Sequence, residues 1–135
     1  MDVVNMIRNE EFYYSDCVIA GSSPVAAYEF CGDRISITEG NPVDEDDLTL
    51  IFQRFSIDVG NSSYVGGEAS AHGSCGFFYK MTGDSLNYAL MTLEQGPFVA
   101  VDLSDGVAVF LSEQGSRWIV RGDDIINVQV AVDQH

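Results

Sequence analysis

From residue 76 onward, short runs of β-branched and aromatic residues alternate with turn-forming links at nearly constant spacing. Thr82-Gly83-Asp84, Glu94-Gln95-Gly96-Pro97, Ser104-Asp105-Gly106 and Glu113-Gln114-Gly115 separate these runs. Asp-Gly and other Gly-bearing links supply the positive φ angles that tight antiparallel hairpins need, so this half of the chain is expected to form a meander of five or six strands. Residues 84–94 are ambiguous: Asp84 is able to N-cap a helix, and Leu86, Leu90 and Leu93 fit helical spacing as well as a strand.

The first half carries the same texture less regularly. Candidate strands there are 17–20, 26–30, 34–38 and 48–59, followed in the second half by 76–81, 86–93, 98–103, 107–112, 117–121 and 125–132. In the long run, Leu48, Leu50 and Phe52 share one parity and Phe55, Ile57 and Val59 the other, so alternation slips near Gln53-Arg54. A β-bulge or a break into two strands would restore one apolar face.

Residues 1–14 place Val3, Val4, Ile7 and Glu11 or Tyr14 at helical spacing behind Asp2, which predicts a short N-terminal helix. Residues 60–76 hold five Gly and four Ser, and read as a long flexible Gly/Ser-rich loop. The expectation is therefore one domain over residues 1–135, mainly β with a minor α part. Its antiparallel meander would form a curved sheet, a small sandwich or a barrel.

Composition then limits the function classes. With 46% hydrophobic residues, eight Phe and six Tyr, the chain has enough apolar surface to fold, so its formal net charge of −15 belongs to a packed domain and not to a disordered acidic tail. Spread over an expected surface on the order of 7,000 Å², that charge is denser than solubility requires. Six scattered Lys and Arg make a poor phosphate-backbone or anionic-membrane binder. Three cysteines, Cys17, Cys31 and Cys75, match neither a disulfide framework nor a zinc pattern. With no charged-then-apolar leader and no long apolar run, the sequence predicts a reduced, cytoplasmic protein.

The excess charge has preferred places. Asp44-Glu45-Asp46-Asp47 is the densest cluster; adjacent carboxylates about 6 Å apart repel by roughly 0.7 kcal/mol even in water, so the run must be solvated or opposed by cations. A calcium loop does not fit, because Leu48 and Thr49 stand where such a loop needs an oxygen ligand and a glycine. Asp123-Asp124 form a second acidic pair, and Asp84, Glu94, Asp105 and Glu113 sit in turns. Alternate turns of a meander project from the same end of the sheet, so an acidic rim is expected; the plainer reading is that Asp favours turns for local hydrogen bonding.

Phe77, Phe78 and Tyr79 are consecutive, so a strand there points one side chain away from the face that buries the others. Either a second layer covers it, or Tyr79 is an exposed aromatic contact beside carboxylates. Trp118 is expected in the core, with Arg117 and Arg121 turned to nearby acids. His72, Cys75 and Glu68 are the nominees for a small β enzyme or ligand-binding domain with a pocket under the 60–76 loop, but no complete catalytic or metal motif is present.

In size, charge and domain style the whole chain resembles the immunity proteins of bacterial toxin systems, including contact-dependent growth inhibition. That resemblance implies a stoichiometric inhibitor that neutralises a basic, nucleic-acid-cleaving toxin by occluding its active site. It carries no motif, so the expected contacts come from the charge reading alone: Asp44, Glu45, Asp46, Asp47, Asp123, Asp124 and Tyr79. On this reading there is no catalytic residue, cofactor or metal, no membrane or direct nucleic-acid partner, and an open oligomeric state. The alternatives are a nucleic-acid mimic directed at a DNA- or RNA-binding protein, the small β enzyme or ligand-binding domain, and an oligomerisation module that pairs through its edge strands.

Overall fold

The structure, a computed structural model, describes residues 2–38, 43–70 and 73–132. One short helix, α1 (Val3–Arg8), precedes twelve strands: β1 (Glu11–Tyr13), β2 (Cys17–Ala20), β3 (Ala26–Cys31), β4 (Arg34–Ile37), β5 (Leu48–Val59), β6 (Ser62–Ala69), β7 (Gly76–Thr82), β8 (Ser85–Thr92), β9 (Phe98–Ser104), β10 (Val107–Ser112), β11 (Ser116–Arg121) and β12 (Asp124–Val132). All lie in one antiparallel sheet of order β1-β5-β6-β7-β8-β2-β3-β4-β12-β11-β10-β9, curled into a half-barrel. The curl brings the far-end strand β9 across β5 and β6, so the sheet covers its own inner face. No helix among the described residues is long and apolar enough to cross a membrane.

Local chemistry explains most of the hairpins. Asp105 (φ 50°) and Gly106 (φ 77°) both take positive φ between the paired Ser104 and Val107, the pattern of a type I′ turn. The slip at Gln53-Arg54 is a bulge: β5 stays one strand, and its register to β6 shifts between Gln53 and Phe55. Asp2 caps α1 by accepting a hydrogen bond from the Val4 amide at 3.1 Å.

Three expectations are corrected. The stretch 60–76 is not one long loop, because Ser62–Ala69 forms β6, a central strand paired to β5 and β7 along its length. Its glycines answer to sterics: a Cβ on Gly66 would strike the Phe55 ring, and one on Gly67 the Phe52 carbonyl oxygen. Second, β8 is a strand, but it pairs with β7 and β2, so the final meander is the four strands β9 to β12. Residues 93–97 cross between layers, pinned by Gln114 Nε2, which donates to the carbonyls of Glu94 (3.1 Å) and Gly96 (2.6 Å). Third, the helical spacing of residues 1–14 ends early, and Glu11–Tyr13 pairs with Leu48–Leu50 as β1.

Two apolar clusters flank β7 and β8. Inside the curl, Phe78 stacks on Phe110 at 3.9 Å between ring centroids and 9° between planes, while Trp118 meets Phe98 and Phe78 edge-on at 5.7 and 6.2 Å. Trp118 is fully buried, and its Nε1 donates to Ser116 Oγ at 3.0 Å. Arg121 is exposed and reaches Gln129 Oε1 at 3.3 Å, so among the described residues it turns to an amide and not to an acid. On the other face Met6 and Ile7 of α1 pack with Ile19, Phe77, Ala89 and Met91. Successive residues of β8 therefore point to alternate cores, Tyr88 and Leu90 inward, Ala89 and Met91 towards α1. Each such side chain contributes on the order of 1.5–3 kcal/mol by leaving water.

Candidate protein-binding face

Register places the acidic residues at two ends of the β5–β8 layer. The start of β5, the end of β6, the start of β7 and the end of β8 lie together, since Ile51 pairs with Ala69, Glu68 with Gly76 and Gly76 with Thr92. Asp44-Glu45-Asp46-Asp47 lead into this end, all four exposed. The run is a turn: the Asp47 amide donates to Asp44 O (3.1 Å) and the Asp46 amide to Asp44 Oδ1 (3.0 Å). The Tyr14 amide donates to Asp47 O at 2.9 Å and fixes the turn to the end of β1.

No ion pair neutralises these four carboxylates among the described residues. Their side-chain donor among the described residues is a phenol: Tyr13 Oη donates to Glu45 Oε1 at 3.4 Å, and burial, then the Glu45 charge, pushes the Tyr13 pKa up. Asp16 joins the same end through its Oδ1, which accepts the Leu93 amide at 2.8 Å. Burial raises its carboxyl pKa against the lowering effect of that bond, and the charge of Glu94 raises it further. This end of the molecule thus collects carboxylates whose neighbours, among the described residues, are acids, backbone amides and one phenol.

The second expected acidic pair sits at the opposite end and is engaged. Asp123 accepts Lys80 Nζ at 2.6 Å and Asn87 Nδ2 at 2.8 Å. Although desolvation opposes ionisation, those two hydrogen bonds and the lysine charge hold the Asp123 carboxyl below its ordinary range. Asp124 accepts from Asn127 Nδ2 at 3.2 and 2.9 Å. Asp84, in the β7–β8 turn, pairs with Arg8 at 2.7 Å. The structure therefore does not bring Asp123 and Asp124 together with residues 44–47.

Tyr79 belongs to neither set. It is half-buried on the α1 side of β7, with its ring stacked on Phe77 at 6.0 Å and 20°, and burial raises its pKa. Both rings line a cleft of about 300 Å³ that Ile7, Glu10, Ile51 and Phe52 also border. The second layer behind Phe77-Phe78-Tyr79 is present, formed by α1 and β1, so Tyr79 offers a recessed apolar floor in place of a protruding contact.

Of the enzymatic nominees, His72 lies outside the described residues. Cys75 is 1% exposed, and burial raises its thiol pKa despite a lowering hydrogen bond from Tyr14. Ala69 and Cys75 pack in the α1-side cluster, and strand alternation puts Glu68 on the other face of the sheet from Ala69. Cys75 and Glu68 therefore do not converge on one pocket.

Residues that sequence reasoning missed lie on β5. Leu50, Phe52, Ile57 and Val59 are large apolar side chains exposed at the sheet margin. The parity slip marked this strand as unusual, but exposure depends on how far β1 and β9 reach, which spacing does not reveal. No family model, curated protein or solved structure matches the chain.

Proposed function

We propose that the protein is a stoichiometric inhibitor that docks a basic protein partner, such as a nucleic-acid-cleaving toxin, on the acidic end formed by Asp44, Glu45, Asp46, Asp47, Asp16 and Glu94. The observation that carries this reading is the contrast in neutralisation: among the described residues no cation pairs with the 44–47 turn, whereas Asp84 and Asp123 each hold one. An unpaired acidic surface draws an oppositely charged partner in quickly and sits where a nuclease would place substrate phosphates. Asp16 supports it, since a half-buried acid beside Glu94 gains most when an incoming cation relieves its raised pKa. Docking would favour the ionised form of Asp16 and would strengthen as pH rises through its folded pKa.

The test is co-purification and titration with a candidate basic partner, a nucleic-acid-cleaving toxin first. If that partner is a nuclease, its activity should fall linearly to zero at one equivalent of this protein. Neutralising the turn (Asp44→Asn, Glu45→Gln, Asp46→Asn, Asp47→Asn) should move the endpoint or abolish inhibition. Full inhibition by the neutralised variant would contradict the reading.

A further inference from the structure

Strand β5 is twelve residues long, but β1 covers only its first three, Leu48, Thr49 and Leu50. At Glu10 (φ 63°) the chain leaves the edge, after its carbonyl has accepted the Ile51 amide at 2.9 Å. From Phe52 to Val59 the strand is hydrogen-bonded to β6 alone. The two-residue turn at Gly60-Asn61 closes on the pair Val59 and Ser62, so Val59, Ile57 and Phe55 aim their backbone groups at β6. Those of Ser56 and Asp58 then face outward, a template with no strand on it among the described residues.

The side chains beside this template are chemically specific. Leu50, Phe52, Ile57 and Val59 are 55, 47, 39 and 54% exposed. Phe55, between them, packs towards Phe110 across the curl. Around the apolar strip lie Asp58, between Ile57 and Val59 with its carboxylate accepting Ser63 Oγ at 2.6 Å, Glu10 and Glu11 where β1 begins, and the 44–47 turn beyond. The one cation on the strand, Arg54, already faces Glu113 at 3.5 Å. The cleft floored by Phe77 and Tyr79 opens at Phe52 and can take a side chain from whatever lies along the edge. A second copy is a poor occupant, because it would bring another chain of net charge −15 and another Asp58 onto the same edge.

We propose that the β5 edge from Phe52 to Val59 is a strand-addition site for an extended segment of a protein partner that alternates apolar with Lys or Arg side chains. Main-chain hydrogen bonds to Ser56 and Asp58 would supply affinity, and the flanking acids would select the basic sequence. The inference rests on the basic-partner reading and adds where the partner's backbone lies.

The experiment uses three capped eight-residue peptides as probes: alternating Val and Lys, alternating Val and Glu, and the Val/Lys peptide with a central Pro. Amide exchange of the intact protein is followed residue by residue. The Val/Lys peptide should slow exchange at Ser56 and Asp58 at least tenfold, and the other two should not. Ile57→Lys, which leaves the backbone hydrogen-bonding groups of the edge intact, should weaken Val/Lys binding about tenfold. If the Val/Lys peptide shifts resonances at 44–47 but leaves Ser56 and Asp58 unprotected, the edge inference fails while the acidic-end reading stands. Equal protection by the Val/Lys and Val/Glu peptides, no protection at peptide concentrations on the order of 1 mM, or a concentration-dependent dimer that itself protects Ser56 and Asp58 would each overturn it.

Discussion

The turn at 44–47 and the turn carrying Asp123 are built from the same residue type, yet their electrostatic situations are opposite. Asp123 is held by Lys80 and Asn87 and ties the β11–β12 turn to β7 and β8. The 44–47 carboxylates are exposed, and their turn is fixed by backbone bonds. Counting acids does not distinguish these two cases; asking what each carboxylate touches does. Asp123 is held by a cation and an amide, whereas among the described residues the 44–47 carboxylates meet only a backbone amide and a phenol.

The largest effect should separate the ends by binding. Neutralising residues 44–47 should slow association with a basic partner about 10- to 100-fold at low salt, while Asp123→Asn with Asp124→Asn should change it less than about threefold. Stopped-flow rates across a salt series measure both; equal slowing by the two variants would erase the distinction.

Stability should respond in the reverse order. Lys80→Met strands Asp123 and should cost about 1 kcal/mol at pH 7, the exposure of the Asp123 side chain keeping the loss small. Asp123 has a folded pKa below its unfolded value, so its contribution is present above the ordinary aspartate pKa of 3.8 and is lost as pH falls through the folded value. Urea unfolding at pH 7 and at pH 3 should show the variant's deficit shrinking in acid. A deficit that is constant with pH would mean Lys80 acts through packing alone.

Asp16 carries the opposite sign. Its folded pKa is raised, so the fold favours the protonated form and loses stability as pH climbs from 3.8 through the folded value. Asp16→Asn keeps an oxygen for the Leu93 amide and should gain a few tenths of a kcal/mol on wild type at pH 7, with no gain at pH 3. The smallest change belongs to Arg8→Ala, whose exposed pair with Asp84 should be worth less than about 0.5 kcal/mol. Thermal melts of both variants would check these values, and a loss for Asp16→Asn at pH 7 would remove Asp16 from the unneutralised set.

Much of this architecture is legible in the chain. The spacing of Gly-bearing links located ten of the strands, and the parity slip at Gln53-Arg54 located the bulge. What stayed hidden was decided by distant partners. The glycines of 60–76 look flexible in composition, but Gly66 and Gly67 are small because Phe55 and the β5 backbone lie against them. Nothing local says that Gly96-Pro97 begins a crossing to the other layer instead of a hairpin. The acidic turns were visible as sequence, but the neutralisation of Asp123 depends on Lys80, 43 residues away. Tyr79 read as a contact because its neighbours are aromatic, and the layer that covers it comes from the N-terminal residues.

A concentration of negative potential at the 44–47 end can be measured without any partner. Paramagnetic relaxation of backbone amides by a cationic and by an anionic nitroxide of equal size reports the local potential at each residue. The highest cation-to-anion ratio is expected at residues 44–47 and 94, with distinctly lower values at residues 84 and 123–124. A ratio uniform over both ends, or highest at residue 123, would contradict it.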